Sequence, residues 1–205
     1  IETVEDAFCK LAEGKVDVPM PMHITIDETD SAGPGDCHVK GGYVSGAATW
    51  TVKVASVSFY KNLELGLPAG GGIFVVMNAK NGAPLAIMQE NRFLTDLRTG
   101  AAGAVAIKHL TKPSHEAIGF IGTGAIAKVM ARGAAAVRGD SFKGLAFAMD
   151  GAHEFCEQMS EELGVPFTVC SSAQEVEHIH TAKGTLRHLA LATPPPPGSL
   201  ENATL

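Results

Sequence analysis

The spacing of apolar positions changes period along this chain, and each change marks a different kind of element. Val4, Ala7, Phe8, Leu11 and Ala12 recur at helical spacing, and Gly14 ends that helix. Pro19 and Pro21 close the connection that follows. His23-Ile24-Thr25-Ile26 alternates with the period of a strand, and a polar, glycine-bearing loop runs from Asp27 to Asp36. Cys37 to Val44 and Thr49 to Val57 read as two further strands, with bends at Gly41-Gly42 and Ser45-Gly46. Gly70-Gly71-Gly72 precedes the apolar run Ile73 to Met77. Asn81-Gly82 then supplies a hairpin turn before Pro84 to Met88. Residues 20 to 90 therefore predict a mostly antiparallel sheet without helices. Ile24, Ile26, Val52, Val54, Ile73 and Val75 alternate with other residues, so one face of that sheet is strongly apolar.

From Asn91 to Leu110 the period becomes helical. Phe93, Leu94, Leu97, Ala101, Ala104, Val105 and Leu110 form the apolar face of an Ala- and Gly-rich helix that suits close backbone packing. Lys112-Pro113-Ser114 breaks it. A strand follows at Ala117 to Ile121, then a glycine turn, a helix from Lys128 to Val137 closed by Gly139, and a strand from Leu145 to Met149. A helix at Ala152 to Leu163, a strand at Phe167 to Cys170 and a capped helix start at Ser171 to Glu175 come next. Leu189 to Thr193 reads as a fourth strand, ended by Pro194 to Pro197. The order predicts an α/β chain. An N-terminal sheet domain spans residues 1–115 and includes a linking helix at 91–110. A partial Rossmann domain spans residues 116–205, and a cleft between the two is lined by strand ends and the linking helix.

Composition narrows the class. The 205 residues are 45% hydrophobic and 19% charged, which supports a packed core and excludes global disorder. A net charge of -6 argues against a broad nucleic-acid or membrane-binding surface. Cys9, Cys37, Cys156 and Cys170 lack C-x-x-C spacing and read as reduced thiols of a cytoplasmic protein. The acidic start Ile1-Glu2-Thr3-Val4-Glu5-Asp6 is no signal peptide, and no apolar run reaches transmembrane length. His178 and His180 lack acidic partners at ligand spacing, so no metal is expected.

The most informative stretch is Gly122-Thr123-Gly124-Ala125-Ile126-Ala127, placed between a strand and a helix. Gly122 permits a tight turn, and Gly124 lets a pyrophosphate approach the backbone. Ala127, in place of a third glycine, still lets helix and strand pack closely. The helix N-terminus presents free N–H groups and the positive end of its dipole to phosphate. Asp150 ends the next strand, roughly 20 residues or more beyond the glycines, where a carboxylate meets the ribose 2′-OH. Its charge repels a 2′-phosphate, so NAD is expected over NADP, with NADP possible.

Three segments in a fixed order carry a resemblance: Thr51-Val52-Lys53-Val54; Asn62-x-x-x-Gly66-Leu67-Pro68; and Leu94-Thr95-Asp96-Leu97-Arg98-Thr99-Gly100-Ala101-Ala102-Gly103-Ala104. With the Gly122 motif they resemble the ornithine cyclodeaminase and mu-crystallin family over residues 4 to about 176. Val57 to Pro68 is closest in style to its ectoine-utilisation branch. The resemblance implies a dimerising sheet domain, an NAD(P)-binding Rossmann domain and hydride transfer at the Cα of an amino acid such as ornithine. An imine forms, the side-chain amine attacks it, and ammonia leaves. Relatives act as ketimine reductases or amino-acid dehydrogenases, and mu-crystallin binds small ligand and cofactor without turnover. Lys53 matches the lysine that meets substrate, pairing with its carboxylate or moving a proton. Arg98 matches the arginine that contacts substrate carboxylate and cofactor, for which its planar fork is suited. Both stand as candidate catalytic and substrate-binding residues. The cofactor set is Gly122, Thr123, Gly124, Ala125, Ile126 and Asp150, with Arg98, Thr95 and Thr193. Thr95 fits a structural role equally well, and Gly70 to Gly72 occupy the loop that approaches cofactor or simply turn the chain.

The chain departs from the family pattern in several places. Many members carry an arginine after the first proline-rich turn, where it grips the substrate carboxylate; here the chain reads Pro19-Met20-Pro21-Met22-His23. His23 is the nearest polar substitute, and as a strand histidine it is expected to be half-buried. Lys40 offers a second cationic contact, or is an exposed edge lysine. Ile126 stands where the family has glutamine. The catalytic aspartate beyond the fourth strand has no counterpart after Ala192-Thr193, which favours a binding protein. Against the resemblance the chain reads as truncated at both ends. A homodimer formed through residues 20 to 90 is expected, burying the apolar sheet face.

Overall fold

The computed structural model describes residues 1–30, 33–112, 114–178 and 191–192. These residues form two compact units: one lies within residues 6–95, and the other comprises residues 1–5 together with the described residues from Asp96 onward. The sheet unit is taken first.

Helix α1 (Glu2–Ala12) is followed by β1 (Val16–Asp17), β2 (Met22–Ile26), β3 (Gly35–Val44), β4 (Thr49–Val57), β5 (Gly71–Asn78) and β6 (Pro84–Glu90). The strands make one six-stranded sheet in which β3, β4, β5 and β6 lie side by side. Both β1 and β2 pair with the outer side of β3, and every pairing is antiparallel. The alternating pattern thus delivers the expected sheet. Its register puts Val39, Val54 and Ile73 in one cross-strand row and Val52, Val75 and Ile87 in another. Pairing in register places these side chains on a common face, together with Met22 and Ile24 of β2.

A 3-10 turn at Tyr60–Leu65 lies between β4 and β5, where the sequence predicted no helix. Its cause is local. Gly66 takes φ 70° and ends the turn, while the Asn62 side chain donates to the Pro68 carbonyl at 3.1 Å. The Asn-x-x-x-Gly-Leu-Pro segment therefore closes a loop upon itself. At the glycine run, a Cβ on Gly70 would lie 2.5 Å from the Ser56 carbonyl, and one on Gly72 would strike the Val54 carbonyl. These glycines permit β5 to run close against β4, and Gly71 and Gly72 belong to the strand.

The second unit holds the main core. Helix α2 (Phe93–Leu110) begins two residues later than its pattern indicated, after Arg92 at φ 66°. Strands β7 (Ala117–Ile121), β8 (Lys143–Phe147), β9 (Phe167–Val169) and β10 (Leu191–Ala192) form a parallel sheet ordered β10-β7-β8-β9. Helices α3 (Ala125–Arg138), α4 (Ala152–Leu163) and α5 (Ala173–His178) alternate with them. Helix α3 starts directly after Gly124, three residues before the periodic segment, because the glycine turn itself is its N-terminus. Strand β8 stops at Phe147, and the expected strand residue Met149 is exposed. Phe120, Phe155, Phe167, Met159, Ile107, Ala131 and Ala134 pack into one cluster between sheet and helices. At about 25 cal/mol per Å² of apolar surface removed from water, such burial is the main stabilising term of this unit. Helices α2 and α3 approach closely at glycines: a Cβ on Gly100 would lie 2.7 Å from the Val129 carbonyl. Ser172 caps α5 by accepting from the Glu175 N–H at 3.0 Å, as its sequence pattern implied. No helix among the described residues is long and apolar enough to cross a membrane.

Candidate functional site

The register of the sheet unit gathers the polar candidates on the face opposite the apolar rows. His23 pairs with His38, Lys40 with Lys53, and Lys53 with Phe74, while Gly72 pairs with Glu90. Alternation then puts His23, His38, Lys40, Lys53, Phe74 and Glu90 on one side. Lys53 is the centre of this face. Its Nζ donates to Thr95 Oγ1, lies 3.1 Å from Glu90 Oε1 and sits 5.1 Å from the Phe74 ring centroid. Thr95 Oγ1 donates in turn to Glu90 Oε1 at 2.5 Å, and the Thr95 backbone N–H donates to Oε2 at 3.1 Å. The Glu90 side chain is 4% exposed and that of Lys53 18% exposed.

Burial raises the Glu90 carboxyl's pKa, but the hydrogen bonds from Thr95 and Lys53 and the lysine charge outweigh it, so the net value is lowered. Glu90 is accordingly a carboxylate that fixes the lysine and receives the N-terminal end of α2. Sequence reasoning missed it, having ended the strand at Met88. The available signal was an acid closing an apolar strand immediately before the helix that carries Leu94-Thr95-Asp96-Leu97-Arg98.

His23 is exposed, not half-buried, because β2 lies at the sheet edge. Its Nε2 lies 2.9 Å from Asp36 Oδ1 and its ring stacks on His38 at 4.6 Å between centroids. The hydrogen bond from His23 holds the Asp36 carboxyl below its ordinary range. Lys40 is exposed, and it is locally an edge residue as expected: on the outer side of β3 the pairing with β2 ends at Val39 and that with β1 begins at Tyr43, so Lys40 pairs only with β4. Arg98 is exposed one turn along α2 from Thr95.

The glycine turn of the second unit has the geometry of an anion cradle. Gly122 adopts φ 94°, and its N–H donates to the Phe147 carbonyl at 2.8 Å, tying the turn to β8. Gly124 is the N-cap of α3, and a Cβ there would meet no atom within 4 Å, so its α-carbon faces open space. Ala127 is buried at the contact between helix and sheet. Thr123 Oγ1 donates to the Asp150 carbonyl at 3.2 Å, joining the two loops at the strand ends, and the Asp150 side chain is exposed. These features fit a pyrophosphate on the helix N-terminus with a ribose near Asp150. Ala125 and Ile126 are the first helical residues. Thr193 and the pair His178 and His180, as side chains, lie outside the described residues. Among the described residues no group of three or more His, Cys, Asp or Glu side chains is arranged to hold a metal.

The profile of the ornithine cyclodeaminase/mu-crystallin family matches residues 1–181. Among curated relatives, an uncharacterised cyclodeaminase of Sinorhizobium fredii is 36% identical over 138 residues, covering 67% of this chain and 40% of that protein. A Δ1-pyrroline-2-carboxylate reductase of Bacillus cereus is 34% identical over 117 residues, 56% of this chain and 35% of that protein. The chain thus spans less than half the length of these relatives. Among solved structures, the Δ1-pyrroline-2-carboxylate reductase of Thermococcus litoralis, in complex with NADH and L-proline, superposes with TM-score 0.73 at 32% identity. That match covers 85% of this chain and 53% of the other. An archaeal alanine dehydrogenase dimer with bound NAD gives TM-score 0.72 at 27% identity, covering 85% and 51%. A lysine cyclodeaminase gives 0.65 at 25%, covering 82% and 48%. With its sheet unit, its parallel dinucleotide-binding unit and a family match over most of its length, the chain belongs to the ornithine cyclodeaminase/mu-crystallin family of NAD(P)-dependent proteins.

Proposed function

We propose that this chain carries the machinery of an NAD(H)-dependent enzyme acting at the α-carbon of an amino or imino acid, of the cyclodeaminase type. The observation that carries the reading is Lys53, held on a sheet face by Thr95 and by the buried Glu90 carboxylate. A lysine fixed in this way has one donor left to meet a substrate carboxylate or to move a proton at Nζ, and its carboxylate partner keeps its position from drifting. Arg98 supplies a planar fork for a carboxylate or phosphate. Gly122, Thr123, Gly124, Ala125 and Ile126 would hold the dinucleotide phosphates and Asp150 its ribose, with NAD(H) preferred over NADP(H). The nicotinamide, when bound, supplies or accepts a hydride.

A second reading, reduction of a cyclic imino acid, is favoured by the greater likeness to the pyrroline-2-carboxylate reductase than to the lysine cyclodeaminase. One assay separates the readings. Amino and cyclic imino acids are offered with NAD or NADH, and cofactor absorbance and ammonia are followed together. Ammonia without net cofactor change marks a cyclodeaminase, net NADH consumption without ammonia a reductase, and ammonia with net NADH formation a dehydrogenase. No turnover across the panel, with cofactor bound, defeats the enzyme reading in favour of a ligand-binding protein.

We extend the proposal to assembly. Ile24, Ile73 and Ile87 on the apolar sheet face are 47%, 37% and 71% exposed, which is unusual for large aliphatic residues clustered on one side. A second copy of the chain, paired through residues 20–90, would remove that face from water. Light scattering that shows a monomer at micromolar concentration defeats this part.

A further inference from the structure

We propose that Lys40 is the substrate-carboxylate anchor of the sheet face, leaving Lys53 for proton movement; this rests on the amino- or imino-acid reading above. Lys40 and Lys53 are direct cross-strand partners on β3 and β4. Directly opposed residues of an antiparallel pair hold their Cβ atoms about 4.5–5.5 Å apart, and like charges so placed are destabilising. The sheet offsets only one of the two charges. Lys53 has Glu90, Thr95 and the Phe74 ring. Glu90 directs both its oxygens to Lys53 and Thr95. Lys40 belongs to none of the ion pairs formed among the described residues, and its side chain is exposed.

The face therefore presents a neutral lysine–glutamate pair beside an uncompensated ammonium with three donors. An anion bound there relieves the cross-strand repulsion, and one at Lys40 comes within reach of the remaining donor of Lys53. His23, the other candidate for the missing arginine, is already engaged by Asp36 and stacked on His38. Its ring is committed where the Lys40 ammonium is not. The arrangement divides the work by charge: the compensated lysine is fixed in place with one donor free, and the uncompensated one collects the negative group. The substrate class is a compact α-amino or α-imino acid whose carboxylate is ionised.

The test uses the 205-residue chain with L-proline, L-ornithine and L-alanine as carboxylate probes and L-prolinamide as the control that lacks the carboxylate. Lysine acetylation is followed residue by residue by mass spectrometry, with exposed Lys80 as internal reference. The expected result is that a carboxylate probe slows acetylation of Lys40 relative to Lys80 by at least about threefold and the amide does not, since charge-assisted contacts need the ionised acid. In turnover, Lys40→Gln raises KM by at least about tenfold with kcat within about twofold, the mark of lost uniform binding, and Lys40→Arg restores KM. Equal protection by acid and amide, or no protection by any probe, overturns the anchor. Wild-type KM in Lys40→Gln overturns the anchor and leaves the enzyme reading standing. Protection by acids alone without turnover of any substrate keeps the anchor and removes the enzyme reading.

Discussion

Replacing Glu90 by alanine isolates the contact on which the sheet face depends. The carboxylate lies 3.1 Å from Lys53 Nζ and accepts from Thr95 Oγ1 at 2.5 Å and Thr95 N at 3.1 Å. Removing one partner of a fully buried ion pair costs about 3–5 kcal/mol. Lys53 keeps some contact with water, being 18% exposed, so its charge is not stranded, and about 2–3 kcal/mol is the better figure. The lost acceptor at the start of α2 adds about 1 kcal/mol, the usual value of an N-terminal cap. The sum, about 3–4 kcal/mol, is a large share of a typical domain stability of about 5–15 kcal/mol. Glu90→Gln, which retains an oxygen for the Thr95 N–H, serves where the alanine variant does not fold, and costs about 1–2 kcal/mol.

Urea unfolding followed by Trp50 fluorescence reads this unit directly, because the chain's one tryptophan lies in β4. A double-mutant cycle with Lys53→Met should give a coupling energy of about 1–3 kcal/mol. The pH dependence has a definite sign. Folded Glu90 has a pKa below its ordinary 4.5 and binds fewer protons than in the unfolded chain. Its stabilisation is fully present above about pH 4.5 and fades as pH falls through the lowered value, so the gap between wild type and Glu90→Gln should close in acid. Additivity of the two substitutions within about 0.5 kcal/mol, or a gap that widens in acid, refutes the reasoning.

Other substitutions test the second unit. A Cβ at Gly124 would meet no atom within 4 Å and φ is an ordinary -74°, so Gly124→Val should cost only about 1 kcal/mol, the loss of a favoured N-cap residue, while calorimetry shows NADH binding weakened by at least about tenfold; unchanged NADH affinity would contradict the proposed site. Gly122→Ala, at φ 94°, should lower stability by about 1–3 kcal/mol in urea unfolding followed by far-ultraviolet circular dichroism, which reports the helices of this unit. Asp150→Ser should shift the NADPH-to-NADH affinity ratio upward by at least about tenfold, and an unmoved ratio would place ribose recognition elsewhere. Gly133→Ala puts a Cβ 2.8 Å from the Gly100 carbonyl and 3.1 Å from Ala104 Cβ. Overpacking of that kind costs about 1–3 kcal/mol, and a thermal melt equal to wild type would show that α2 and α3 part more easily than argued.

What the sequence made legible, and what it did not, follows from the range over which each feature is determined. Strand alternation and the Gly122 turn are local: a period of two, or a glycine where φ is positive, is decided within a few residues, so the sheet, the parallel unit and the dinucleotide turn could be read directly. The Lys53–Glu90 pair is decided by register. The two residues sit on β4 and β6, separated by β5, and meet only because Lys53 pairs with Phe74 while Gly72, two residues earlier on β5, pairs with Glu90. No local pattern carries that information, and Glu90 passed for the polar end of a strand. The same register explains the glycines that read as a turn. Gly72 has no room for a side chain against the Val54 carbonyl, so β5 runs close to β4 at the point where the lysine and the carboxylate must span it. A side chain at Gly72 would push β5 away from β4 and separate Lys53 from Glu90. The glycine, the lysine and the glutamate are therefore one structural requirement, written at three distant places in the chain.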